Sequence, residues 1–271
     1  MKTSKFASAI LGATSMSIGA GAAHAKDGID ADRPAIVLVH GAFQTADAWG
    51  SVVNRLRADG HRVITVNLPG RTGTPLAPSA TSLTLYRDTV IKAISAERRP
   101  VVLVGHSFGG VTISNVAESV PERIKTLVYV AAFLPRDGAS LLDMAKTDAG
   151  SLLGPQLKFD ADAGLVRVDA ASRGAMFAND GTAEQQAWAA ANAVDEPLTP
   201  LATPLHVTPA RSGKADRVYI KTMRDQAVSP AFQDSMIAAG NVRLTLSLDT
   251  GHLPYLTNPD GLATAIEEAV K

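Results

Sequence analysis

Six short runs of apolar, largely β-branched residues recur along the chain, and helical patterns fill most of the gaps between them. The runs are AIVLVH at 35–40, RVITVN at 62–67, VVLVG at 101–105, TLVYVA at 126–131, RVYIK at 217–221 and VRLTLSL at 242–248. Short continuous apolar runs of this kind read as strands covered on both faces, as in a parallel sheet. Helices are predicted at 49–59, 83–98, 109–120, 230–239 and 260–270. Alternating strand and helix implies βαβ units, so the expected fold class is α/β: a six-stranded, mainly parallel sheet flanked by helices. The interval 135–215 breaks the rhythm, with only short helical stretches at 141–146 and 182–192. A structureless loop that long is improbable inside a compact domain, so a mostly helical cap insertion is predicted there.

The first residues read differently. Lys2 and Lys5 precede an apolar stretch over 6–22, and Ala23, His24 and Ala25 form a small-residue cleavage pattern. Residues 1–25 are therefore expected to be a cleaved export signal, leaving 26–271 as one domain bound for the periplasm or the medium. Ser, Thr and Gly interrupt the run before the ~20 apolar residues of a membrane span, so no membrane partner is expected. The full chain balances 26 Lys and Arg against 26 Asp and Glu; without the two leader lysines the balance is 24 against 26, a net charge of −2. Neither figure supplies the positive excess that binding nucleic acid or an anionic surface requires. Cysteine is absent, which excludes disulfides, thiolate metal sites and a cysteine nucleophile.

Gly105-His106-Ser107-Phe108-Gly109 joins a predicted strand to a predicted helix. Such a tight turn strains its central residue, and glycines on either side remove the Cβ atoms that would clash. Ser107 is thereby presented above the sheet edge as a candidate nucleophile. A serine hydroxyl needs a base to take its proton. Of His40, His61, His106, His206 and His252, the last follows the final strand, at the sheet end where ligands of open α/β folds bind. His40 and His106 are expected to be hydrogen-bonded structural groups, and His61 and His206 surface or cap residues. For the carboxylate that orients the base, Asp225 gives the chain order Ser, Asp, His, while Asp249 and Asp137 compete on spacing. The oxyanion of an acyl-transfer intermediate needs preorganised N–H donors; the amides of Ala42, after the first strand, and Phe108, after the serine, are the candidates.

With these residues placed, the chain resembles the α/β-hydrolase superfamily, and within it the branch of plant hydroxynitrile lyases, plant methylesterases and related bacterial esterases. The resemblance runs over almost all of 35–270, through VLVHGAF, GHSFGG, VYVAAFLP, VYIKTMRDQAVSPAFQ and GHLPYLTNPDGL. It implies Ser107 as nucleophile, Asp225 as acid, His252 as base and Ala42 and Phe108 as oxyanion donors. The lyases carry a threonine where this chain has Gly41 and a lysine where it has Leu253, so the resemblance favours ester hydrolysis over cyanohydrin cleavage.

The expected activity is therefore cleavage of small, uncharged aryl or alkyl esters through an acyl-enzyme, with no metal or organic cofactor. The expected partner is the small-molecule ester itself, a homodimer being allowed. Lactone hydrolysis, hydroxynitrile lyase-type cleavage and non-catalytic ligand binding are the alternatives. Gly41, Phe43, Leu134, Trp188 and Leu253 are expected to line the substrate pocket, with Phe108, Phe133, Met176 and Phe177 as further candidates.

Overall fold

The computed structural model describes residues 33–271 together with Met1. The export-signal expectation lies outside the described residues. All six predicted strands are present: β1 (Ile36–Val39), β2 (Val63–Val66), β3 (Val101–His106) and β4 (Ile124–Val130) precede the cap, and β8 (Asp216–Thr222) and β9 (Leu244–Leu248) follow it. They form one sheet in the order β2-β1-β3-β4-β8-β9, with every pairing parallel. Every residue of β1 and β3 is buried, as expected of central strands covered on both sides, whereas edge strand β9 alternates between half-buried and exposed positions.

Helices α1 (Gly50–Ala58), α2 (Leu83–Ala93) and α3 (Gly109–Ser119) make the early crossovers. Starting from β1, the chain adds β2 on one side and β3 on the other. Right-handed crossovers in opposite directions place α1 and α2 on opposite faces. The C-terminal ends of β1 and β3, paired through Val39 and Gly105, therefore flank a crevice at the point where strand order reverses. Across the sheet, Tyr129 of β4 pairs with Tyr219 of β8, their rings stacked at 6.3 Å and 8°. The α2 helix ends at Ala93, earlier than predicted. Ser95 Oγ turns back to the Lys92 carbonyl at 2.8 Å, and Glu97 N donates to Ile94 O at 3.1 Å, closing a turn before β3.

The cap is mostly helical, as expected, and also holds a small sheet that the sequence did not announce. It contains α4 (Leu141–Ala145), β5 (Leu157–Asp160), β6 (Leu165–Val168), α5 (Arg173–Phe177), α6 (Ala183–Asn192), β7 (Glu196–Pro197) and α7 (Leu198–Ala202). The three strands form an antiparallel sheet in the order β5-β6-β7. Four-residue strands are too short to announce themselves by periodicity. Their hairpin turns through Gly164, at φ 65°, with Ala163 N bonded to Asp160 Oδ1 at 2.9 Å. Capping boxes start both α4 (Ser140 with Asp143) and α6 (Thr182 with Gln185). A bridge between Ala139 and Leu205 closes the base of the excursion, inside the predicted 135–215. After the cap, α8 (Pro230–Ala239), α9 (Pro254–Thr257) and α10 (Pro259–Ala269) complete the chain, with α8 as predicted. Among the described residues no helix is long and apolar enough to cross a membrane.

Candidate active site

Ser107 stands between β3 and α3 with φ 52°, a left-handed conformation rare for a residue with a Cβ. Its own peptide holds it there. Ser107 N donates to Val130 O at 3.1 Å, and its carbonyl accepts from Gly110 N at 3.0 Å and Phe133 N at 3.1 Å. A Cβ on Gly105 would lie 2.6 Å from the Gly109 backbone, and one on Gly109 would lie 2.6 Å from Val39 O, so the turn closes only with glycine at both positions.

His252, in the loop after β9, bonds through Nδ1 to Asp225 Oδ2 at 2.9 Å, and both side chains are buried. Asp225 is fully engaged. Its Oδ1 accepts from the amides of Ala227 at 2.8 Å and Val228 at 2.9 Å, and Oδ2 also accepts from Thr222 Oγ1 at 2.9 Å and Gln233 Nε2 at 3.4 Å. The competing carboxylates are spent elsewhere. Asp249 is exposed and paired with Arg224 at 3.0 Å, and Asp137 accepts from Val207 N at 3.0 Å near exposed His206.

His106 links the serine turn to the His252 loop. Its Nε2 donates to His252 O at 2.8 Å, and the two rings lie 4.7 Å apart. Burial, reinforced by His252, holds its pKa well below the usual histidine range, so the ring is neutral. His40 takes a parallel role at the end of β1: Nδ1 donates to Gly41 O at 2.8 Å and Nε2 accepts from Leu68 N at 3.1 Å. Burial, aided by Arg71, lowers its pKa to about 3. Both histidines thus act as neutral struts. His61 is buried beside Glu267 at 3.2 Å, not on the surface as expected.

Gly41 packs directly over the serine: a Cβ there would stand 2.8 Å from Ser107 Cβ and 2.9 Å from His106 Nδ1. The next residue, Ala42, and Phe108 donate no backbone hydrogen bond among the described residues, which leaves two amides beside Ser107 unspent. Ser107 Oγ is likewise without a hydrogen bond among the described residues; contacts of this kind commonly tighten only when a substrate is bound.

Of the expected pocket residues, Phe43 reaches the site. Its ring lies 5.9 Å from Phe177, which in turn stacks on His252 at 6.2 Å, so Phe177 of α5 carries the cap to the base. Leu253 is wholly buried at the start of α9. Trp188 is half-buried on α6 and makes no ring contact with Phe43, Phe177 or His252 among the described residues. Leu134 points away: a Cβ on Gly240 would strike its Cδ2, and with Met144, Phe232 and Met236 it lines a separate cavity of about 680 Å³ beside α8. Its side chain thus turns toward α8 and not toward the catalytic residues.

Sequence reasoning missed two groups. Gln233, on the buried face of α8 with Met236, is wholly buried and braces Thr222 and Asp225; flanked by Asp234 and Ser235, it gave no signal in the sequence. Arg71 and Glu196, both wholly buried, pair through Arg71 Nη2 to Glu196 Oε1 at 2.7 Å and Oε2 at 2.6 Å. Burial pushes the Glu196 carboxyl up in pKa while the guanidinium opposes it. Among the described residues no three His, Asp or Glu side chains converge as metal ligands. A strained serine, a carboxylate-bound histidine and two free amides together form an arrangement suited to acyl transfer.

Comparison with known proteins identifies the family. A family model described as "Alpha/beta hydrolase family" matches residues 36–265. Putative methylesterase 14, chloroplastic, of Arabidopsis thaliana is 29% identical over 241 residues, covering 83% of this chain and 69% of that protein. The chain spans 55% to 69% of the length of five such plant relatives. A carbendazim hydrolyzing esterase of Nocardioides sp. is 39% identical over 111 residues, 39% of this chain and 45% of that one. A crystal structure of a pyrethroid hydrolase from Sphingobium faniae superposes with a TM-score of 0.75 at 24% identity, over 87% of this chain and 96% of that one, a likeness of fold. On the strength of the family match and the sheet that embodies it, the chain belongs to the alpha/beta hydrolase family.

Proposed function

We propose that the protein hydrolyses carboxylic esters through an acyl-enzyme on Ser107. The observation that carries this reading is the buried 2.9 Å bond from His252 to Asp225, set beside a left-handed serine and two unspent amides. His252 Nε2 takes the Ser107 proton as Oγ attacks the ester carbonyl carbon, and the Ala42 and Phe108 amides receive the developing oxyanion. The C–O bond to the alcohol then breaks, and the alcohol leaves with the proton from His252. Water enters, gives a proton to His252 and attacks the acyl carbon; the acid departs as Ser107 regains its proton.

Phe177 stacks on His252 and Phe43 packs against Phe177, apolar surface that suits an uncharged aryl or alkyl ester. The names of the relatives, methylesterases and a carbendazim esterase, support ester cleavage. Gly41 argues against the lyase alternative, because a threonine would place its Cβ 2.8 Å from Ser107 Cβ, and Leu253 offers no charge to a leaving cyanide. We propose export as well, tested by the N-terminus of protein recovered outside the cytoplasm: one beginning at Lys26 supports cleavage.

The test is a panel of p-nitrophenyl and methyl esters varied separately in acyl and alcohol parts, run with parent protein and Ser107→Ala. Turnover that falls at least about a thousandfold in the variant is expected. Full activity in that variant, or no ester hydrolysed by the parent, overturns the reading.

A further inference from the structure

Beside the oxyanion amide lies a charge pair that the catalytic steps do not use. Phe43, the residue after Ala42, has φ 62° although it is not glycine, a conformation that persists only when the surroundings impose it. Three hydrogen bonds impose it here. Phe43 N donates to Glu196 Oε2 at 2.9 Å, Phe43 O accepts from Val194 N at 3.0 Å, and Gln44 O accepts from Arg71 Nε at 3.2 Å. The carboxylate and guanidinium, joined by two hydrogen bonds, thus hold the peptide groups on either side of the 43–44 peptide, which Val194 N holds in turn. Arg71 is itself fixed by Tyr86, whose hydroxyl accepts from Nη1 at 3.3 Å and whose ring lies 5.7 Å below the guanidinium.

A buried ion pair is a weak source of stability, since apolar residues of similar volume often serve the fold equally well. What apolar residues cannot do is direct the amide of Phe43 and the carbonyl of Gln44. Upstream, His40 secures Gly41 O, so Ala42 lies between two anchored peptides. Glu196 and Val194 come from the cap, at and just before β7, whereas Arg71 follows β2.

We propose that Arg71 and Glu196 are positioning residues for the oxyanion hole, aiming the Ala42 amide by fixing residues 43–44 and coupling that geometry to the seating of the cap. The proposal rests on the acyl-transfer reading above. Neither side chain reaches the reacting atoms, so their loss weakens transition-state binding and spares ground-state binding.

The experiment compares the parent with the double variant Arg71→Met/Glu196→Met, which leaves no buried charge unpaired and is expected to fold. Thermal melting is recorded alongside, and kinetics are taken well below the transition. Expected are a kcat lower by roughly 10- to 100-fold, part of the ~10²–10³ carried by one oxyanion donor, with KM within about twofold. Affinity for phenylboronic acid, which forms a tetrahedral adduct on the serine, falls in parallel. A folded double variant with parental kcat and boronate affinity overturns the proposal, as does a loss that merely tracks the unfolded fraction. Should the double variant fail to fold, Glu196→Asp keeps the charge but withdraws it from Phe43 N, and the same kcat loss is required of it. In the parent itself the Phe43 amide must exchange slowly with solvent, as slowly as Val194; rapid exchange contradicts the clamp. Failure of the esterase reading looks different, because the parent then shows neither turnover nor boronate binding.

Discussion

Gly41→Ala gives the sharpest single-atom test of the site. Gly41 is not among the residues with positive φ, so its backbone tolerates alanine and the consequence is steric alone. The added Cβ would stand 2.8 Å from Ser107 Cβ, 2.9 Å from His106 Nδ1 and 3.0 Å from His106 O. Carbon atoms in good contact sit at about 3.5 Å or more, so the loop and the serine turn must part by about 0.7 Å. Neither side yields freely: Gly41 O is held by His40 at 2.8 Å, Phe43 by Glu196 at 2.9 Å, and the Ser107 peptide by bonds to Val130, Gly110 and Phe133. An oxyanion donor acts at roughly 2.7–3.1 Å, and a displacement of that size forfeits most of its worth, about 3 kcal/mol or about a hundredfold in kcat. Overpacking adds a stability cost of about 1–3 kcal/mol. Steady-state kinetics on a p-nitrophenyl ester, with urea denaturation in parallel, measure both. A Gly41→Ala enzyme with kcat within twofold of the parent refutes the placement of the oxyanion loop against Ser107.

Other perturbations follow from the same contacts. In Asp225→Asn, the two backbone amides on Oδ1 keep the carbonyl oxygen on their side, at 2.8 and 2.9 Å, and turn the amide nitrogen toward His252; the imidazole then carries its proton on Nε2, and kcat is expected to fall by roughly 10⁴ with little change in melting temperature. His106→Leu leaves the His252 carbonyl without its donor at 2.8 Å, an expected loss of about 1–3 kcal/mol in unfolding free energy together with reduced kcat, read by denaturant titration and ester kinetics. His40 predicts an acid dependence. Its pKa is about 3 when folded and near 6.5 when unfolded, so below pH 6.5 the unfolded state binds the extra proton, and stability falls as pH drops toward 3. By pH 4.5 that amounts to about 3 kcal/mol, and a folded His40→Asn protein should lack this share of the loss between pH 7 and pH 4.5.

Much of this could be seen in the residues alone, for identifiable reasons. Strands such as VVLVGH are buried on both faces, so every position is apolar and the run stands out without reference to a partner. The serine turn is a local device, and its glycines are dictated by atoms within a few residues and by the neighbouring strand. Asp225 could be ranked but not separated from Asp249 by spacing; the separation lies in the Arg224 contact, which only the folded loop reveals. Leu134 was expected in the pocket as an apolar residue at the mouth of the cap, and the direction of its side chain toward Gly240 is not written in the sequence. The cap strands escaped because four residues do not establish a period, and the Arg71–Glu196 pair escaped because 125 positions separate its members.

The central claim is that Ser107 carries the acyl group. Mixing the enzyme with a p-nitrophenyl ester, quenching in acid within the first turnover and mapping the digest by mass spectrometry tests it directly. The account predicts one acyl group per chain, located on Ser107 in the peptide containing His106 and Phe108, with a burst of p-nitrophenol of matching size. Hydrolysis that proceeds with no acylated Ser107, or with the acyl group on another residue, contradicts it.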